Sequence, residues 1–303
     1  MQYSAPSKVP ADVAQRIRER GPVLDMPLTQ AIYHRLHEQQ AQDDVKVTRD
    51  LRYGDGERHV LDVYQPESSS NRSRPVIVFF HGGGYIRGDK REKENIGCYF
   101  ARQGCVVCIP NYRLAPAHRW PAGAEDVSAA YSWIREHLQQ FNGDAQNLFL
   151  IGESAGASHV AAATLIRRFH PAGGFNIKGA VFISGVYNVH LERLARQQFG
   201  TDIPDPRNEA YFGSEFDRYP SMTTVKLIDA TPFPLLITYA ELDMLQMQVQ
   251  AGELFATLVV RHGFAPKIAM IRDHNHLTQV YSINTGDESL SEPILQFIRG
   301  AGA

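Results

Sequence analysis

Residues 148–157 constrain the fold more than any other stretch of the chain. An apolar run, Leu148, Phe149, Leu150 and Ile151, breaks at Gly152-Glu153-Ser154-Ala155-Gly156 and continues into Ala157 and the alanine-rich segment Val160 to Ala163. The pattern predicts a buried strand, a tight turn and a helix. Such a turn lifts Ser154 above the carboxyl end of the strand, and the flanking glycines let strand and helix approach where a Cβ would clash. The serine hydroxyl then stands at a helix N-terminus, where free N–H groups and the positive end of the helix dipole favour an oxyanion. The ordinary alternative is a glycine-flanked serine in a surface turn; what argues against it is the strand-to-helix context.

The 303 residues carry a formal net charge of -2 at pH 7, which offers no extended basic field for nucleic acid. They have ample apolar residues for one large α/β domain spanning 1–303, and no sign of two equal halves. Met1 to Arg20 mixes charges where a secretory signal would need an apolar core, so a cytoplasmic location is expected. No apolar run approaches the length of a membrane span. The three cysteines are Cys98, Cys105 and Cys108. The last two lie in one strand-like run and point to opposite faces, which predicts buried structural thiols rather than a disulfide or a shared metal.

Met1 to Gln40 has helical periodicity, with Val13 and Ile17 on one stretch, Leu28, Ile32 and Leu36 on a second, and Pro10 and Pro27 near the two helix starts. Since it precedes every strand signal, residues 1–44 are expected to form a helical cap over one end of the domain, although a homodimer contact would leave the same pattern. Val45 to Tyr53 and His59 to Tyr64 read as a hairpin around Gly54-Asp55-Gly56, followed by a polar loop, Pro66 to Arg74. Strands are predicted at Pro75 to Phe80, Cys105 to Pro110, Leu148 to Ile151, Ala180 to Ser184, Leu235 to Tyr239 and Lys267 to Ile271. Helices are predicted at Ala124 to Gln139, Gln246 to His262 and Pro293 to Ile298. This alternation specifies an α/β fold with a mostly parallel, doubly wound sheet opened by an antiparallel hairpin, whose ligands bind at the carboxyl ends of the strands. Residues 189–231 are the one long interruption and are expected to form a second cap insertion.

Other groups gather at the same sheet end. His81-Gly82-Gly83-Gly84-Tyr85 directly follows a strand, and the amides of Gly83 and Gly84 with that of Ala155 form a candidate oxyanion hole. A phosphate loop is the alternative, but the Gly-Lys-Ser/Thr ending and the dinucleotide spacing are absent. After the strand Leu235 to Tyr239 come Glu241 and Asp243; Asp243 is the candidate acid, Glu241 the second choice, and a helix N-cap the ordinary role for either. After the last strand comes Asp273-His274-Asn275-His276. Two histidines there could suggest a metal, but no partner cluster has ligand spacing, so no metal is expected. Spacing alone does not choose between His274 and His276 as base.

Together His81-Gly82-Gly83-Gly84, Asn111-Tyr112-Arg113-Leu114-Ala115-Pro116, Pro121-Ala122-Gly123-Ala124-Glu125-Asp126 and Gly152-Glu153-Ser154-Ala155-Gly156 resemble the hormone-sensitive-lipase-like carboxylesterases of the α/β-hydrolase fold. The ending, Asn275-His276-Leu277-Thr278 with Gly286-Asp287, looks closer to the arylformamidase (kynurenine formamidase)-like branch. Glu153 departs from the pattern, which more often has Asp or His there, and so does Met244 after Asp243, where proline is frequent. The resemblance covers roughly residues 45–300. It implies a cofactor-free serine hydrolase acting through an acyl-enzyme on a small carboxylic ester, short-chain or aryl, with Ser154, Asp243 and His276 as triad. His276 is preferred over His274 because in that family an apolar and then a small hydroxylated residue follow the base. The alternatives are an arylformamidase-type amidase and a non-catalytic ligand-binding member of the fold. Aromatic residues around Tyr211 to Tyr219 suggest an apolar pocket, core packing being their ordinary role.

Overall fold

The computed structural model describes residues 7–40, 44–67, 73–191, 206–230 and 233–301. Eight strands, β1 (Val45–Arg52), β2 (Val60–Pro66), β3 (Arg74–Phe80), β4 (Val106–Pro110), β5 (Gly143–Glu153), β6 (Gly179–Ile183), β7 (Leu235–Leu242) and β8 (Lys267–Asn275), form one sheet in the order β1-β2-β4-β3-β5-β6-β7-β8. β2 pairs antiparallel with both β1 and β4, and every other pairing is parallel. The chain therefore has the expected α/β-hydrolase architecture.

Continuous apolar runs arise because both faces of the sheet are covered. Along β5, Leu148 and Leu150 enter one core while Phe149 and Ile151 enter the other, all four fully buried. The first core is closed by the helices Ala122–His137, Ala155–Leu165 and Leu245–His262, the second by Glu94–Arg102 and Ser291–Ala301. Cys108 faces the first core and Cys98 and Cys105 the second, and all three thiols are free and buried. Burial pushes the Cys105 and Cys108 thiols up to about 12, as befits inert core residues.

The N-terminal helices, Ala11–Arg20 and Met26–Glu38, begin where the prolines indicated: Pro10 is the residue before the first, and Pro27 sits in the first turn of the second, with the Asp25 carboxylate accepting the Leu28 N–H at 2.9 Å. Val13, Ile17, Ile32 and Tyr33 are buried against one another and against Leu242, at the carboxyl end of β7, and Tyr281, in the short helix after β8. The apolar stripe is thus used within the chain. A homodimer is not needed to explain it.

Register brings five strand ends to one edge. Phe80 is level with Gly152, Glu153 with Ile183, Ile183 with Thr238, and Leu242 with Asn275. The residues immediately beyond these ends (His81, Ser154, Ser184, Asp243 and His276) accordingly lie along a single rim. β8 departs from expectation: it continues beyond Ile271 to Asn275, past an irregularity opposite Ala240 and Leu242. Asp273 takes a left-handed φ of 61° there. The irregularity places two extra residues on β8 and re-aims the strand, and short-range periodicity does not report it.

Of the second expected insertion, residues 192–205 and 231 lie outside the described residues, as do 68–72 of the polar loop. The rest forms a helix, Pro206–Phe212, a helical run, Phe216–Met222, and a short helix, Thr224–Leu227. Among the described residues no helix is long and apolar enough to cross a membrane.

Candidate active site

Ser154 ends β5 with φ 51° and ψ −118°, and the helix Ala155–Leu165 starts at the next residue. A non-glycine residue held there costs on the order of 1–3 kcal/mol and persists only where its surroundings impose it. The surroundings are specific. The Ser154 N–H donates to the Ile183 carbonyl at 2.8 Å. The Ser158 hydroxyl donates to the Ser154 carbonyl at 3.3 Å and itself accepts the Val186 N–H at 3.0 Å and the Tyr85 hydroxyl at 3.1 Å. Gly156 allows the helix to meet β3: a Cβ at that position would lie 2.2 Å from the Phe80 carbonyl oxygen.

His276 completes the centre. Its Nε2 is 3.0 Å from Ser154 Oγ, and its Nδ1 is 2.8 Å from Asp243 Oδ1. With Nδ1–H donating to the carboxylate, Nε2 is left to accept the serine proton. Asp243 and His276 are both buried, which strengthens the bonds between them. Burial works against a charge on His276, but the Asp243 carboxylate outweighs it, and the imidazole titrates above its ordinary value.

Asp243 is itself held. Oδ1 accepts the Met244 N–H at 2.9 Å, and Oδ2 accepts the Ser184 hydroxyl at 2.5 Å. Gln279 Nε2 donates to that hydroxyl at 2.7 Å and to the His276 carbonyl at 3.3 Å. Ser184 and Gln279, which hold Asp243, are positions that sequence reasoning missed. The only signal for Ser184 was its place after an apolar strand; for Gln279 there was none.

The two second-choice residues go elsewhere. Glu241 Oε2 accepts the Asp273 N–H at 2.8 Å and props the bulge in β8. His274 is fully buried inside β8 beside Asp287. The two extra residues of β8 at the irregularity turn the strand's end into the interior.

Across the rim, Gly82, Gly83 and Gly84 line a cavity of about 470 Å³ with Ser154 and His276. The Gly82 amide is committed to Glu153 Oε1 at 3.1 Å, and Lys93 Nζ lies 2.5 Å from the same oxygen. Gly83 has φ +131° and its back is against Arg87, whose carbonyl oxygen would be 2.0 Å from an added Cβ. Ala155 contributes the first N–H of its helix, one of the donors that no intrahelical carbonyl can satisfy. His81 carries no charge in this loop: burial pulls its imidazole down to about 4, its Nδ1 donates to the Gly82 carbonyl at 2.7 Å, and its ring stacks on Tyr112.

The cavity wall is mixed rather than apolar. Leu24, Met26 and Tyr281 face it together with Arg87, Glu92 and Lys93. Tyr211, Phe212 and Tyr219 instead pack with Tyr85 and Trp120 in a core cluster. Aromatic content reported their burial; Tyr211 and Phe212 also border a separate cavity with Trp120, not the one lined by Ser154. Among the described residues no group of three or more His, Cys, Asp or Glu side chains is arranged to hold a metal ion.

The fold has counterparts in known proteins. Over 272 residues the chain is 26% identical to a probable isoprenylcysteine alpha-carbonyl methylesterase of Arabidopsis thaliana, covering 84% of this chain and 56% of that one. The chain thus spans little more than half the length of that curated relative. In three dimensions it is similar to an inhibited esterase B of Lactobacillus rhamnosis, with a TM-score of 0.73, 18% identity and coverage of 96% and 97% of the two chains. An esterase from the bacterial hormone-sensitive lipase family gives 0.67 at 23% identity, covering 99% and 98%. A family model described as the alpha/beta hydrolase fold matches residues 77–277, from the strand before the glycine loop to the residue after His276, and the chain belongs to that family.

Proposed function

We propose that the protein is a serine carboxylesterase, and the observation that carries this reading is the unbroken chain Ser154–His276–Asp243, with bonds of 3.0 and 2.8 Å, at the floor of a cavity walled by the glycine loop. His276 removes the proton of Ser154 as its Oγ attacks the ester carbonyl. The amides of Gly83, Gly84 and Ala155 stabilise the tetrahedral oxyanion, and Asp243 orients His276 and stabilises its imidazolium. The imidazolium then protonates the leaving alcohol, and water activated by the same base hydrolyses the acyl-enzyme. The matched relatives are esterases, which supports the reaction class. A cavity of about 470 Å³ suits a short-chain or aryl ester.

The N-terminal helices act as a cap in this reading, since Leu24, Met26, Gln30 and His37 all face the cavity. The insertion at 189–231 is the second cap of a single domain. Three free thiols suit a reducing compartment, and a cytoplasmic location is proposed on that ground.

Turnover of a panel of p-nitrophenyl esters by the wild type, and its loss in Ser154→Ala, tests the reading. N-formylkynurenine included in the panel separates an amidase from an esterase. A wild type that turns over no ester or amide and is not labelled by a fluorophosphonate would instead be a ligand-binding protein on this fold.

A further inference from the structure

A second acid–imidazole pair lies in the interior two residues before His276. His274 and Asp287 are both closed to solvent, with Nε2 and Oδ2 3.3 Å apart. The other ring nitrogen of His274 is 3.2 Å from the Thr278 hydroxyl, which accepts the Asn275 N–H at 2.9 Å. Asn275 Oδ1 accepts the N–H groups of Leu277 and Thr278 at 3.2 and 3.1 Å. The segment that presents His276 is thus tied on both sides of that residue. Asp287 has holders of its own: its Oδ1 accepts the Ser289 N–H and hydroxyl at 3.1 and 2.6 Å, and its Oδ2 accepts the Tyr33 hydroxyl at 3.3 Å. Tyr33 belongs to the N-terminal helix Met26–Glu38 and is itself fully buried.

A buried acid–imidazole contact is a poor device for stability alone, because desolvation cancels most of the attraction and apolar residues of similar volume often do as well or better. What directional bonds supply is position. A catalytic base must be held to within about 0.5 Å, and that requires support for the segment carrying it. Neither His274 nor Asp287 faces the cavity, whereas His276, Leu277 and Gln279 do.

We propose that the Asp287–His274 pair is a positioning device for His276, acting through Thr278 and Asn275, and that Tyr33 couples the N-terminal helices to it. The proposal rests on His276 being the base of an ester hydrolase. The pair never meets substrate. It determines how closely the imidazole sits between Asp243 and Ser154, and the N-terminal helices therefore contribute to the rate as well as to the cavity wall.

The test is Asp287→Asn in the full chain, assayed on a short p-nitrophenyl ester. A loss of about tenfold or more in kcat with KM within twofold is expected, a size typical of removing a group that supports a reacting residue. The acid limb of the kcat/KM profile should move to lower pH, because an imidazole less well placed against Asp243 loses part of what raises its pKa. The charged groups acting on His276 are Asp243, Glu153 and Arg207, and none of them is changed by the substitution. His274→Gln, which keeps a donor toward Asp287, should retain several times the rate of His274→Ala. This pair of variants carries the test if Asp287→Asn does not fold. A lowered melting temperature with kcat within twofold and an unmoved acid limb, or equal rates for His274→Gln and His274→Ala, overturns the proposal. Ser154→Ala and His276→Ala run in parallel: their inactivity beside an unaffected Asp287→Asn sinks the positioning role alone, whereas wild-type turnover in all three sinks the esterase reading and this inference with it.

Discussion

Glu153 reaches from the end of β5 to the glycine loop, where its Oε1 accepts the N–H of Gly82 at 3.1 Å. One side chain thereby joins the serine turn to the loop facing it across the cavity, and Lys93, 2.5 Å from the same oxygen, balances the buried charge. Removing Glu153 would leave Lys93 unpaired and Gly82 without its acceptor. Breaking a buried pair by removing one partner costs about 3–5 kcal/mol, with the lower end expected here because both side chains keep slight solvent access. Glu153→Ala should therefore melt well below the wild type and lose about tenfold or more in kcat, while Glu153→Gln, which still offers an oxygen to Gly82, should lose less. Thermal melting with steady-state kinetics on both variants checks this ranking.

Ser154→Ala removes only a hydroxyl from a turn that the Ile183 carbonyl and Ser158 hold independently. The fold should survive, while ester turnover falls by at least about a thousandfold, the remaining rate being due to binding and oxyanion contacts. Covalent labelling by a fluorophosphonate, with mass spectrometry of the labelled peptide, reports the nucleophile directly. Attachment at Ser158 would show that Ser154 is the wrong serine.

Substitution in the glycine loop should be graded. At Gly83 an added methyl meets the Arg87 carbonyl oxygen at 2.0 Å, a backbone atom that cannot move without the loop; at Gly84 it meets Cδ of the flexible Arg207 side chain at 2.7 Å. Both positions have positive φ, so both alanine variants are strained, but Gly83→Ala displaces the amides most. One oxyanion donor is worth about 3 kcal/mol, so Gly83→Ala should cost roughly a hundredfold in kcat with KM little changed, and Gly84→Ala less. A rate within a few-fold of wild type for both would mean that the loop only shapes a turn.

In the proposed mechanism His276 must be neutral to accept the serine proton, and its pKa lies above the ordinary imidazole value because Asp243 outweighs burial. The acid limb of kcat/KM should therefore fall on the high side of the usual imidazole range, about 6.5, rather than below it. The linkage runs the other way for stability. A group whose folded pKa is raised contributes stability that is fully present below its unfolded pKa and fades as pH rises through the folded one. The charged His276–Asp243 pair thus stabilises the fold most at the pH where the proposed esterase would be least active. Rate profiles and urea midpoints measured across the same pH series test both signs.

His81 and His159 behave oppositely. Burial pulls them down to about 4 and about 3, with each ring's charge further disfavoured by basic or imidazole neighbours. Unfolding lets them take up protons near pH 6.5, so stability should decline as pH falls from there toward 4, by up to about 1.4 kcal/mol per pH unit for each histidine. His159→Leu should flatten this decline in denaturant titrations. An unchanged slope would place the acid sensitivity elsewhere.

The arrangement of the sheet and its serine turn was legible in the chain because short-range rules govern both. Buried strands such as Leu148 to Ile151 are apolar at every position when helices cover both faces, the turn after them needs glycine where Gly156 meets Phe80, and Pro10 and Pro27 mark helix starts through their fixed φ. Motif spacing likewise nominated Ser154, Asp243 and His276, though only by resemblance for the last. What tertiary structure decided was everything that depends on strands meeting from far apart in sequence. The bulge at Asp273 carries β8 to Asn275 and turns His274 inward to Asp287, so that two histidines of equal parity acquire different surroundings. Ser184 holds Asp243 across 59 residues of separation, Gln279 reaches Ser184 across 95, and Tyr33 reaches Asp287 across 254. A hydrogen bond has no periodicity along the chain. Only the register of the sheet, set by burial of both its faces, brings such partners within reach.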